Sequence, residues 1–195
     1  MQLHYNFFQT ENHLQPKKGR ILISEPFLTD NYFKRSIVLL TEHSPEGSVG
    51  FVLNKPVNMK AHEIMSDFPA SDAIVSLGGP VQTNTLHYLH AIGDIIPGSM
   101  KVLGNISWGG EFDVVKRLLE AGTLHNGNVR FFLGYSGWQA NQLNEELGDN
   151  AWVVSEIQPE EVMSPMNKHF WNHTLKQMGH KYRMWSNFPE NPQMN

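Results

Sequence analysis

The chain has no cysteine. Disulfides, thiolate metal sites, iron–sulfur ligation and a cysteine nucleophile are therefore excluded. Basic residues are scarce as well. Fifteen Lys and Arg stand against nineteen Asp and Glu, a formal net charge of −4 with His neutral. Proteins dedicated to nucleic acid draw most of their affinity from Lys and Arg against phosphates, so this balance argues against that class. The one dense basic cluster, Lys17, Lys18 and Arg20, reads most simply as a solvated approach to a strand. Long apolar runs are missing too: no stretch nears the ~20 residues that a membrane helix needs. Residues 1–10 show no basic region followed by an apolar run, so they do not read as a secretory signal. The expectation is a soluble, cytoplasmic protein with no membrane partner. Internal repeats and low-complexity segments are also lacking.

What remains is a chain able to build a core. Its 195 residues are 40% hydrophobic and include eleven Phe, five Trp and five Tyr, enough for one domain without covalent staples. The expected division is a loosely docked N-terminal arm at 1–16, a single domain at 17–186 and a frayed tail at 187–195. Pro189 and Pro192 mark the tail.

Three unbroken apolar runs, Ile21-Leu22-Ile23, Ile37-Val38-Leu39-Leu40 and Phe51-Val52-Leu53, predict strands covered on both faces, because one-sided strands would alternate. Ser44-Pro45-Glu46-Gly47 suits a tight turn and predicts an antiparallel hairpin between the second and third. Pro56 ends the third strand. A short helix is expected over 61–68, ended by Pro69. Strands are expected at 74–77, stopped by Gly78-Gly79-Pro80, and at 86–92. Residues 111–121 predict a helix, with Phe112, Val115, Leu118 and Leu119 on one face and Gly122 at its left-handed end. A strand at 129–133 is then expected to turn into a second helix carrying Leu143 and Leu147, followed by a strand at 152–154. A last helix is expected from about Pro165 to Met178, with Met166, Phe170 and Met178 on its buried side.

Several constellations bear on chemistry. Gly134-Tyr135-Ser136-Gly137-Trp138 resembles a Gly-x-Ser-x-Gly nucleophile elbow, but Trp138 stands where the strained turn needs a small residue. Ser136 and Gln139 fit a capping box at a helix start instead. Amides at such a start can hold an anion, which makes Ser136, Gly137 and Trp138 candidate ligand-binding residues, with Glu42, His43 and Lys55 as possible neighbours. Glu42-His43 as an acid–base pair is disfavoured, since adjacent strand residues diverge. His169 and His173 lie one helical turn apart, but Phe170 occupies the zincin glutamate position and no third ligand is evident. His87 and His90 fall on opposite faces of a strand. Gly78-Gly79-Pro80 lacks both the P-loop and the dinucleotide pattern. No catalytic residue, metal ligand or cofactor is assigned.

Four blocks in order resemble the AlgH/YqgE family of bacterial proteins. They are Gly19-Arg20-Ile21-Leu22-Ile23-Ser24; Leu39 to His43 continuing through Glu46 to Pro56; Gly78-Gly79-Pro80-Val81; and Phe132 to Trp138 with Gln142-Leu143 and Ala151-Trp152. One departure is Asn141, where the family carries Gly. It falls inside the predicted helix, so the change reads as a matter of local packing. The resemblance implies an α+β fold: a mixed, partly barrel-like sheet flanked by helices. It also implies a bacterial cytosolic protein associated, through the family name, with regulation of alginate production. It carries over no catalytic residue. The leading expectation is a non-enzymatic binding or regulatory protein with a protein or small anionic ligand as partner. The alternatives are an enzyme or carrier for an anionic small molecule at the Ser136-Gly137 helix start, and a nucleic-acid-binding transcriptional regulator.

Overall fold

The three apolar runs form antiparallel neighbours: β1 (Ile21–Ser24), β2 (Ile37–Ser44) and β3 (Gly47–Val52). The hairpin closes as expected, with Ser44 opposite Gly47 and Pro45-Glu46 as its tip. The structure, a computed structural model, describes residues 9–164 and 167–189. Residues 1–8 of the expected arm, Pro165 and Met166 of the expected last helix, and Pro192 of the expected tail lie outside the described residues.

Six further strands follow among the described residues: β4 (Val75–Leu77), β5 (Val81–His90), β6 (Met100–Leu103), β7 (Ile106–Trp108), β8 (Val129–Gln139) and β9 (Trp152–Ser155). They join the first three in one sheet of order β6-β7-β5-β8-β3-β2-β1-β9, with β4 also on β8. Among the described residues only the β4–β8 strand pairing is parallel. The helices are α1 (Ala61–Ile64), α2 (Phe112–Glu120), α3 (Gln142–Gly148), α4 (Pro159–Met163), α5 (Phe170–Gln177) and α6 (His180–Trp185). This is the mixed α+β fold that the sequence predicts, in a single domain. The sheet does not close: β6 and β9 are its end strands.

Alternation along β1, β2 and β3 divides their apolar residues between two faces. Ile21, Ile23, Ile37, Leu39 and Phe51 pack with Val162, Trp171, Leu175 and Trp185 of α4, α5 and α6. Leu22, Val38, Leu40 and Val52 pack on the opposite face with Leu143 of α3, Trp138 and Trp152. Further along that face, Val75, Tyr88 and Phe131 pack with α1 and α2. Both faces are covered, which is why the runs are unbroken. α2 matches its expectation closely: Val115 and Leu119 are buried and Gly122 has φ +71°. The buried face of α5 is carried by Trp171 and Leu175, with Phe170 and Met178 at its rim.

The segment after Leu133 departs from expectation. No turn into a helix occurs there, and β8 continues to Gln139. Ser136 is therefore not a helix cap, and the Ser136-Gly137 helix start does not exist. Ser136 is buried in mid-strand and its hydroxyl donates to the Gly78 carbonyl at 2.9 Å. β8 switches partners along one edge, from β4 at Phe131–Leu133 to β3 at Ser136–Gln139. Gly134, at φ +65°, marks the switch. A Cβ on Gly79 would collide with the Tyr135 backbone, and one on Gly134 would sit 2.6 Å from the Val81 carbonyl. The Gly78-Gly79 turn and the Gly134 block are thus two halves of one close backbone contact. α3 starts only at Gln142, and Asn141 just before it has φ +65°. The left-handed position explains Gly in the family, and Asn is among the few other residues that adopt it readily. Asn141 therefore serves a turn and is not inside the helix.

The N-terminal residues lie along β9. Asn12 Nδ2 donates to the Trp152 carbonyl at 3.0 Å, and its Oδ1 accepts from the Val154 amide at 2.7 Å. A neighbouring parallel strand would make this same pair of bonds. Lys181 Nζ, 2.9 Å from Glu11 Oε1, and the Tyr182 hydroxyl, which accepts from the Glu11 amide at 3.0 Å, hold the segment to α6.

Arg130 of β8 is fully buried. Its Nη1 donates to the Val162 carbonyl at 2.7 Å, and its Nη2 donates to the Leu53 carbonyl at 2.6 Å and to Ser76 Oγ at 3.3 Å. Arg130→Ala opens a cavity and leaves two buried carbonyls without donors, and is expected to destabilise the fold by about 3–5 kcal/mol. Arg130→Met refills the volume and is expected to lose clearly less. Urea-denaturation midpoints of the two variants check the ordering.

Candidate functional site

The six candidate ligand-binding residues do not meet at one place. Glu42 is exposed, while its neighbour His43 points to the other side of β2, where its Nδ1 lies 2.7 Å from Ser48 Oγ. His43 and Ser48 face each other across the hairpin. They border a cleft of about 370 Å³ that also takes in Gln139, Asn141 and Asn144. Among the described residues no carboxylate is bonded to His43, so the pair lacks the orienting group of a nucleophile–base system. Gly137 is opposite Val49 and Trp138 opposite Ser48 in the ladder. The Trp138 indole is buried, and its Nε1 donates to Glu146 Oε2 at 2.8 Å. The same oxygen accepts from Trp152 Nε1 at 2.7 Å. Trp138 is thus a core residue whose polar handle is satisfied.

Lys55 leads elsewhere. Its Nζ donates to the Asn31 carbonyl at 2.6 Å, across the mouth of a second cleft of about 480 Å³. Two walls form this cleft. The residues before β2 and after β3 supply Asn31, Lys34, Arg35, Asn54 and Lys55, and the start of α5 supplies Lys168, His169 and Asn172. Among the described residues no Asp or Glu lines it. The positive end of the α5 dipole adds to the four formal cations. Apart from Lys55, sequence reasoning missed this site, since its lysines and arginine are far apart in the chain and in no motif.

Arg35 is the most constrained member. Its backbone has φ +50°, a region that disfavours an L residue by roughly 1–2 kcal/mol. Asn54 holds it there: Nδ2 donates to the Arg35 carbonyl at 2.8 Å, while Oδ1 accepts from the Ile37 amide at 2.9 Å. The guanidinium lies 5.0 Å from the centroid of the Trp171 ring, and Nη2 donates to the Phe188 carbonyl at 2.5 Å. Arg35 Nε and Asn172 Oδ1 are buried and have no hydrogen-bond partner among the described residues.

The histidines are placed apart. His169 lines the cationic cleft, while the His173 ring pairs with the Gln177 amide at 3.0 Å. His87 sits among Phe51, Trp108 and Tyr135, and His90 Nε2 lies 2.9 Å from Ser99 Oγ on the other face of β5.

The four blocks keep their order along this fold, and the AlgH-like family model (DUF179) matches residues 21–183. The chain belongs to the AlgH-like family. A UPF0301 protein of Parabacteroides distasonis is 41% identical, over 97% of this chain and 98% of its own. The UPF0301 protein BF2109 of Bacteroides fragilis is 39% identical over the full length of both. The solution structure of the AlgH protein of Pseudomonas aeruginosa has a TM-score of 0.70 at 26% identity, covering 92% of this chain and 98% of that one. Protein DIP2367 of Corynebacterium diphtheriae shares the fold, with a TM-score of 0.75 at 18% identity over 96% of this chain and all of its own. Among the described residues no helix is long and apolar enough to cross a membrane.

Burial holds the His87 and His90 rings below the ordinary histidine range. The folded protein therefore takes up fewer protons at these rings than the unfolded chain does. Stability from this source is present above the unfolded value near 6.5 and is lost as pH falls below it. Urea midpoints are expected to drop between about pH 7 and pH 5. His87→Gln is expected to flatten that drop while leaving the midpoint at pH 8 little changed.

Proposed function

We propose that this AlgH-like protein works by reversible binding, without covalent turnover, and that its ligand is a small anion held in the cleft between the β2–β3 side and the start of α5. One observation carries the reading. Lys34, Arg35, Lys55, Lys168 and His169 converge on one small-ligand-sized cleft of a chain whose net charge is −4. Convergent cations in a concave site raise the local concentration of anions and fix their position. The regulatory role expected from the family name fits a protein whose state depends on such a ligand, and a cytoplasmic setting would supply phosphorylated metabolites. Lys55, a candidate from the sequence, keeps its assignment under this reading. Ser136, Gly137 and Trp138 do not, because their polar groups serve the core.

Binding predicts stabilisation by mass action. Pyrophosphate at 100 times its Kd is expected to add about 2.7 kcal/mol of stability, whereas sodium chloride at matched ionic strength is expected to add much less. Lys55→Glu with Lys168→Glu is expected to remove the response to pyrophosphate. Thermal unfolding of both proteins checks this, and an undiminished response in the double variant places the site elsewhere. Equal silence of both proteins across anions removes the reading.

A further inference from the structure

The cleft says more about its ligand than the sign of its charge. None of its eight lining residues is aliphatic, and His169 carries the one ring among them. The nearest large ring, Trp171, is fully buried beneath the Arg35 guanidinium. A nucleobase entering the cleft finds no large ring on which to stack, only the small imidazole of His169, although stacking on aromatic rings is the common anchor for bases. What the cleft offers beside its cations is amide chemistry. The Asn31 and Asn172 carboxamides line it, and a carboxamide can both donate to and accept from a hydroxyl; the Asn172 Oδ1 itself is buried and without a partner among the described residues. Arg35 Nε, on the opposite wall, is a buried donor in the same condition.

The charges are divided as well. Lys34, Arg35 and Lys55 belong to the β2–β3 wall, and Lys168 and His169 to the α5 wall. A volume of about 480 Å³ is several times that of one phosphate group, so the cleft has room for more than one. The Arg35 fork is set in place before any ligand arrives: its backbone is held by Asn54 and its guanidinium by the Trp171 ring and the Phe188 carbonyl. Preorganisation of this kind lowers the ordering cost of binding, and hydrogen bonds from a guanidinium to a phosphoryl group are charge-assisted.

We infer that the ligand is a small polyol or sugar bearing two phosphoryl groups, one against the Arg35 wall and one against the Lys168–His169 wall, with hydroxyls facing Asn172. This rests on the anion-binding reading above and specifies its chemistry. The test is calorimetric titration of the full chain at fixed ionic strength with fructose 1,6-bisphosphate, fructose 6-phosphate, ADP and an oligo-dT single strand. The bisphosphate is expected to bind at least about tenfold tighter than the monophosphate and tighter than ADP, as expected for two anchored groups and no base contact. Lys168→Gln, an exposed change that leaves the thermal midpoint of the free protein in place, is expected to erase most of the bisphosphate preference while sparing the monophosphate. Arg35→Lys is expected to weaken both. Equal affinity for mono- and bisphosphate overturns the two-wall assignment. Tighter binding of ADP or oligo-dT, still weakened by Lys168→Gln, overturns the polyol assignment and leaves the anion cleft standing. No binding of any probe, or binding indifferent to both variants, overturns both readings.

Discussion

The fold is organised around one buried charge. Burial lowers the Arg130 guanidinium to about 10, which still leaves it protonated at neutral pH. Among the described residues its partners are the carbonyls of Leu53 and Val162 and the hydroxyl of Ser76, with no carboxylate. A buried charge is tolerable only where dipoles surround it. The chain must therefore bring the end of β3, strand β4 and helix α4 to one point on β8. That meeting fixes where the end of α4 sits against the sheet.

β8 does the corresponding work in the sheet. It has β4 and then β3 on one edge and β5 on the other, and it manages the exchange with glycine rather than with a loop. Gly78-Gly79 and Gly134 let two backbones come closer than any Cβ would allow, and Ser136 ties the junction through the Gly78 carbonyl. The motif that most resembles a catalytic elbow is therefore a packing device. Its Trp138 completes the pattern: the indole fills the opposite face beside Trp152, and Glu146 joins the two rings.

What the sequence revealed follows from this arrangement. Doubly buried strands carry unbroken apolar runs, so β1, β2 and β3 were legible, as was α2 with its two-sided periodicity and Gly122. β6 and β7 were not: Met100 and Lys101 are exposed and the strands are four and three residues long, too short for any period to show. The course of β8 was misread because glycine and serine signal turns locally, whereas here they answer to a neighbouring backbone that is distant in sequence. Asn141 was misread for the converse reason, since its backbone conformation is visible only in three dimensions. The expected short helix after Lys60 shrank to one turn at Ala61–Ile64. Of the candidate site, Lys55 alone was seen. Lys34, Arg35 and Lys168 converge through tertiary folding, and no local rule marks an arginine that will be held at φ +50°.

The carboxamide of Asn12 acts on β9 as a chain terminator acts on a growing polymer. It occupies the Trp152 carbonyl and the Val154 amide with a group that has no continuation. A docking strand from another molecule would find those two positions already taken. Sheet-to-sheet association at that end must first displace the segment that Lys181 and Tyr182 hold down. Growth of the sheet into filaments is thereby blocked on the β9 side by a single side chain, without a charged residue or a proline in the strand.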